Sequence, residues 1–189
     1  MSLGFRVKSG RAVVVALRGS REHCVPLLRM AVDLSDPAIK ETRQPYHSGF
    51  GTAQEDEVVI ARLTTIIERC AKRSIDDLLA RAELKDQRCP GACLVVGSLI
   101  DPATVGNPHV RAHANEGRLF RRVVEDALAA HGITCTVVRD RDLIALAVQQ
   151  IETPEAQIRR TVLAWGKTLG SPWRADEKNA AIAAWMALG

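Results

Sequence analysis

The sequence predicts an α/β protein, a mixed sheet flanked by helices, and three observations carry that expectation. The first is a strand-helix-strand unit over residues 91–139. It holds an apolar strand at 92–96, a polar turn at 97–102, a loop bearing His109, Arg111 and His113, an amphipathic helix at 115–130 and a second strand at 133–138. Such units are parallel and bury both faces of their strands under helices. The second is the uninterrupted apolar run Ala12-Val13-Val14-Val15-Ala16-Leu17 between Gly10 and Gly19, rich in the β-branched residues that suit a buried strand. The third is helical spacing of apolar residues in two long stretches. Val58, Val59, Leu63, Ile66, Ile67 and Cys70 form one stripe, and Leu119, Phe120, Val123, Val124, Ala127 and Leu128 form the other.

Taken in order, the opening Met1-Ser2-Leu3 is set aside as an appended leader, and residues 12–17 make the first strand. Arg18-Gly19-Ser20-Arg21 turns the chain into a hairpin partner over 23–32, whose Pro26 lacks a ladder donor and implies a bulge or a break. A third short strand is placed within 40–48, followed by the glycine-flanked loop Tyr46-His47-Ser48-Gly49-Phe50-Gly51. Thr52-Ala53-Gln54-Glu55 matches a capping box, and Glu55, Asp56 and Glu57 put negative charge at the positive end of a helix reaching about residue 72. Ser74-Ile75-Asp76-Asp77 starts a further turn or two, which Cys89-Pro90-Gly91 ends. Past the central unit, Gly132 sits where a left-handed C-cap is expected. A helix resumes at Leu143, Pro154 opens another at its first position, and Gly170-Ser171-Pro172 breaks it. The alanine-rich stretch 175–188 is the last helix.

At 189 residues and 47% hydrophobic, the chain suffices for one compact domain over 1–189. A net charge of +4 is compatible with nucleic acid but falls short of a polycation. With only 4% aromatic residues, a ring-stacking platform for single strands is disfavoured. The five cysteines are odd in number and three lie in apolar runs, which points to reduced thiols and a cytoplasmic location. Cys89 and Cys93 have no second matching pair with which to hold zinc. No apolar run is long enough to cross a membrane. No P-loop, GxGxxG or GxSxG motif supports a nucleotide cofactor or serine hydrolase chemistry.

Three strands followed by alternating helices and strands resemble the ribonuclease H-like superfamily, and in particular its RuvC-type resolvase branch. Two stretches carry the resemblance. Val13-Val14-Val15-Ala16-Leu17-Arg18-Gly19-Ser20 is similar to the first strand and glycine turn, and Asp176-Glu177-Lys178-Asn179-Ala180-Ala181-Ile182-Ala183 is similar to the last helix. The resemblance implies a mixed five-stranded sheet in the order β-β-β-α-β-α-β-α, flanked by helices. Members that cut nucleic acid hold two divalent ions between carboxylates at the ends of the first and fourth strands and on the last helix. Here the first position falls on Ala16 or Leu17, and the second falls near Gly97-Ser98 with Asp101 the closest acid. The third falls on Asn179, with Asp176 one turn earlier. The implied reading is a ribonuclease H-like domain lacking the standard metal-binding carboxylates, a non-catalytic binding or assembly protein with no cofactor and with DNA or RNA as the partner to test.

The alternative is an enzyme, a RuvC-like, metal-dependent phosphodiester hydrolase with a displaced acidic and histidine site using Mg²⁺ or Mn²⁺. Asp101, His109, His113, Glu116 and Asp176 are its candidate catalytic residues. His109 and His113 share a face only if their segment is helical, and otherwise serve a polar loop. Asp140 and Asp142 either join Asp176 and Glu177 in an acidic site or favour a helix N-terminus. Arg18, Arg21, Arg111, Arg118, Arg121 and Arg122 are candidate phosphate contacts, against a solvated helix face paired with Glu125 and Asp126. Trp165, Trp173 and Trp185 point to a core or to a homodimer through the C-terminal helices.

Overall fold

The computed structural model describes residues 1–49 and 51–189; Phe50, within the glycine-flanked loop of the sequence reading, lies outside the described residues. Three antiparallel strands open the chain, β1 (Ser2–Lys8), β2 (Arg11–Gly19) and β3 (Cys24–Asp33). A small hairpin, β4 (His47–Gly49) and β5 (Thr52–Ala53), precedes α1 (Glu57–Leu79), β6 (Gly91–Val96), α2 (Pro108–Ala129) and β7 (Thr134–Arg139). Three helices close it, α3 (Leu143–Ile151), α4 (Glu155–Leu169) and α5 (Ala175–Met186). The five-stranded sheet runs β3-β2-β1-β6-β7, with β6 parallel to both β1 and β7. It is the mixed α/β sheet expected, with β1 as its central strand.

Alternation along the strands assigns each residue to a layer. Leu3, Phe5 and Val7 of β1, with Ala12, Val14 and Ala16 of β2 and Leu94 of β6, pack on one face against Ile67, Ile75 and Leu78 of α1 and Phe120, Val124 and Leu128 of α2. Val15, Leu17, Cys93 and Val95 face the other way, onto Leu143, Ile158, Trp165 and the alanines of α5. Burial on both faces explains the continuous apolar runs of β2 and β6. Gly4 lets α5 lie directly on β1: a Cβ there would stand 2.0 Å from the Ala180 carbonyl oxygen and 2.2 Å from the Ala184 nitrogen. Ser2 Oγ donates to the Ala184 carbonyl at 2.6 Å, tying the same two elements.

The strand count matches the expectation, but the strand identities shift. The run 12–17 belongs to the second strand, and the set-aside leader is part of the first, where Ser2 and Leu3 are fully buried. Residues 40–48 hold a 3-10 turn (Lys40–Arg43) and the start of β4, while the third strand of the sheet is the 23–32 stretch. Pro26 produces the expected bulge, with Leu17 opposite Pro26 and Ala16 opposite Leu28. Helix α1 starts at Glu57 because Thr52 and Ala53 pair in β5 and Asp56 takes the cap, accepting from the Val58 and Val59 nitrogens at 2.9 and 3.1 Å. It then runs unbroken to Leu79. The tryptophans serve the chain's own core: Trp165 and Trp185 are 5.1 Å apart and buried, and Trp173 donates to the Val162 carbonyl. No helix among the described residues is long and apolar enough to cross a membrane.

Candidate functional site

Two polar groupings flank one cleft. The cleft, about 910 Å³, opens at the carboxyl ends of β1 and β6, where parallel strands of an α/β sheet leave room for a ligand. Arg6, Lys8, Arg11, Arg43, Arg118 and Arg121 line it, and Asp101 is the sole acid of the lining. Arg11 and Arg43 have no carboxylate partner among the described residues, and the Arg118 pairing with Asp101 is loose at 4.0 Å. Arg6, Lys8 and Arg121 are paired with carboxylates, which leaves Arg11, Arg43 and Arg118 to a solvated anion.

The first grouping reaches the cleft through Arg6 and Lys8. Arg6 leaves β1 on the α5 side, two residues after Gly4, and its side chain is 10% exposed. Its Nη2 donates to Asp140 Oδ2 at 2.8 Å, Nη1 reaches the Val7 and Val95 carbonyls at 3.2 and 3.4 Å, and Nε lies 3.8 Å from Asp176 Oδ1. Lys8 Nζ holds the other Asp176 oxygen at 2.7 Å, and Asn179 Nδ2 holds Asp140 Oδ1 at 2.7 Å. Both carboxylates are thus engaged by cations and an amide. The sequence reading placed the end of the first strand on Ala16 or Leu17. With β1 now first, that position falls to Arg6, a group that cannot ligate a cation. The register pairing Lys8 with Arg11 and Ser2 with Leu17 puts Ala16 and Leu17 at the opposite end of the sheet.

The second grouping stands at the start of α2. Asn107 caps this helix through its side-chain oxygen to the Val110 nitrogen at 3.0 Å, and Pro108 fills the first turn. The helix accordingly begins seven residues before the sequence reading put it, and His109, His113 and Glu116 fall on one face. His47 of β4 meets them from above. One ring nitrogen from each of the three histidines lies within 4.8 Å of the others, and the ring centroids are 4.5 to 5.2 Å apart. Glu116, whose side chain is 2% exposed, accepts from His47 Nδ1 at 2.7 Å and lies 3.5 Å from His113 Nδ1. His47 Nε2 and His109 Nδ1 are buried with no hydrogen-bond partner.

The structure therefore brings His109, His113 and Glu116 together and leaves Asp101 and Asp176 apart from them. Asp101 is exposed and caps a 3-10 turn through the Ala103 nitrogen. Of the arginines picked from sequence, Arg118 and Arg121 line the cleft. Arg18 and Arg21 lie at the far end of the sheet, where Arg21 holds the Leu188, Met186 and Gln150 carbonyls. Arg111 reaches the Val105 carbonyl, and Arg122 pairs with Asp126 four residues on. Sequence reading missed Arg6, Lys8, Arg11 and Arg43 because β1 was not recognised, and missed His47 because nothing local couples a loop histidine to a helix 60 residues later.

No family model and no curated protein matches the chain. Solved structures do match in fold. T. thermophilus RuvC in complex with a Holliday junction substrate superposes with a TM-score of 0.57 at 11% identity, covering 98% of this chain and 90% of that one. Thermus thermophilus RuvC on its own gives 0.53 at 10% identity, with coverage of 98% and 91%. The fold is the ribonuclease H-like fold of RuvC, as the order of elements implied.

Proposed function

We propose that this chain is a nucleic-acid-binding domain of RuvC fold that holds phosphates in its basic cleft and has no two-metal nuclease centre. The observation that carries the reading is Arg6 at the carboxyl end of the central strand, bound to Asp140, near Asp176, and lining a cleft walled by arginines. A magnesium pair needs carboxylate oxygens free to ligate. This donor set does not fit it, because the oxygens that would serve are occupied by Arg6, Lys8 and Asn179. Arg11, Arg43 and Arg118 are the cations left to meet a phosphate backbone. The RuvC structure on a Holliday junction supports nucleic acid as the class of partner.

The test is anisotropy with labelled four-way junction, duplex and single strand across a salt series, with gels for cleavage in Mg²⁺ and Mn²⁺. The expected result is salt-dependent binding without cleavage. Replacing Arg11 and Arg43 together by alanine lowers the slope of log affinity against log salt by about 2. Absence of binding at low salt to all three probes overturns the proposal. A second reading, metal-dependent phosphodiester hydrolysis from a displaced site, is favoured by His113, which lines the same cleft. Cleavage that appears with a divalent ion and disappears in His113→Ala would establish it instead. A homodimer through the C-terminal helices would have to use their outer face, where Leu163 is exposed, and light scattering measures it.

A further inference from the structure

We propose that His47, His109 and His113 bind one divalent transition-metal ion, Zn²⁺ foremost, with Glu116 as the carboxylate that orients two of the ligands. Three neutral imidazoles are donors for zinc and its borderline neighbours, and the oxygen-seeking Mg²⁺ and Ca²⁺ have no comparable use for them.

The His47 tautomer is set before any ion arrives. Glu116 Oε1 accepts a hydrogen bond from His47 Nδ1 at 2.7 Å, which leaves the lone pair on Nε2, and Oε2 stands 3.5 Å from His113 Nδ1, near enough to orient that ring as the site closes. A carboxylate behind a ligating imidazole is the usual support of a histidine metal site, since it fixes the ring and raises its basicity. Independently, His47 Nε2 and His109 Nδ1 are buried and unpartnered. A folded chain leaves few buried polar atoms unpaired, because each forfeits its hydration for nothing in return. A cation held by these two nitrogens and His113 would satisfy both atoms together. The buried negative charge of Glu116 lies next to that position and offsets half of the incoming charge.

The geometry needs modest closure. Tetrahedral zinc with nitrogen ligands at ~2.0–2.1 Å sets the donors roughly 3.3–3.4 Å apart, against a present separation of up to 4.8 Å. His47 rides on a two-stranded hairpin, and His113 is half exposed, so both have room to move. Three protein ligands leave the fourth position open, and His113 places it beside the cleft, within reach of water or a phosphate oxygen. Bound metal would staple the β4–β5 hairpin to the first two turns of α2.

The test uses the full chain stripped with chelator. Zn²⁺ is titrated against a competing chromophoric chelator, Co²⁺ is followed by its ligand-field absorption, and thermal unfolding is measured with each ion and with Mg²⁺. The expected result is one equivalent bound, a tetrahedral Co²⁺ spectrum, and an unfolding temperature raised by Zn²⁺ but not by Mg²⁺. His113→Ala, whose side chain is exposed enough for the variant to fold, lowers affinity at least tenfold. Glu116→Gln, which keeps the shape, lowers it by about 10–100-fold. His23→Ala, on the distant β2–β3 turn, leaves it unchanged. No saturable binding of Zn²⁺, or binding that His113→Ala leaves intact, overturns the proposal. The measurement involves no nucleic acid, so its failure would leave the cleft reading standing.

Discussion

The two polar groupings beside the cleft differ in how fully they are satisfied. Around Arg6, five side chains close on one another: both carboxylates have cationic partners, the amide of Asn179 takes a remaining carboxylate oxygen, and Arg6 Nε, buried without a hydrogen bond, still faces Asp176 Oδ1 at 3.8 Å. Around His47, Glu116 accepts from that ring and stands 3.5 Å from His113, yet two buried ring nitrogens have nothing to bond. A network whose one unpaired atom is a donor beside a carboxylate holds structure in place, and one whose unpaired atoms are ring nitrogens has capacity for a ligand. The comparison separates the two even though both combine charged or titratable groups that, in sequence alone, look equally functional.

The largest expected effect comes from pulling the closed network apart through its scaffold. Gly4→Ala drives a methyl into the Ala180 carbonyl and must push α5, with Asp176, off β1. The expected loss is about 3 kcal/mol of stability by urea titration. Arg6→Ala leaves Asp140 and Asp176 without their shared partner, and we expect a loss of about 2–3 kcal/mol, the partly open position of Asp140 softening it. A neutral Arg6→Ala would remove the distinction between the two sites. His109→Leu is the matching experiment on the open network. It replaces a buried unpartnered nitrogen with an apolar group, so metal-free stability should change by less than about 0.5 kcal/mol, while stabilisation by Zn²⁺ disappears. A costly His109→Leu without metal would mean that the histidine cluster is already satisfied.

A separate effect lies outside both regions, in the thiols. Burial pushes Cys135 up to about 12 and Cys24 up to about 11, from an ordinary 9.0. The folded chain therefore keeps protons that the unfolded chain releases above its ordinary value. This stabilisation is whole below that value and is lost as pH rises through the folded ones. Urea midpoints at about pH 8 and about pH 10.5 should fall with pH, and should fall less in Cys135→Ala.

Where sequence reading succeeded and where it failed follow from the range of the signals. The runs 12–17 and 92–96 are apolar because both sheet faces are covered, so their strands were legible, as were the stripes of α1 and α2. The first strand was not, because its buried polar and small residues Ser2, Gly4 and Arg6 face α5 and break the apolar run. Its partner lies at the other end of the chain. The start of α2 was legible in principle, since asparagine before proline is an N-cap followed by a first-turn proline. Reading the stretch that bears His109, Arg111 and His113 as a loop hid the common face of His109, His113 and Glu116. His47 had no local signal at all.

The placement of β1 has a consequence for how the chain comes together. The central strand is made from the first eight residues, yet its parallel neighbour β6 arrives about 90 residues later, and the helix that covers Gly4 comes last. Contacts this distant in sequence close large loops, which slows folding. On the ribosome, β1 to β3 can pair as a meander as soon as they emerge, but one face of that sheet stays open until α5 is released. Until then the nascent chain carries an uncovered apolar layer, a period in which association with other chains competes with folding.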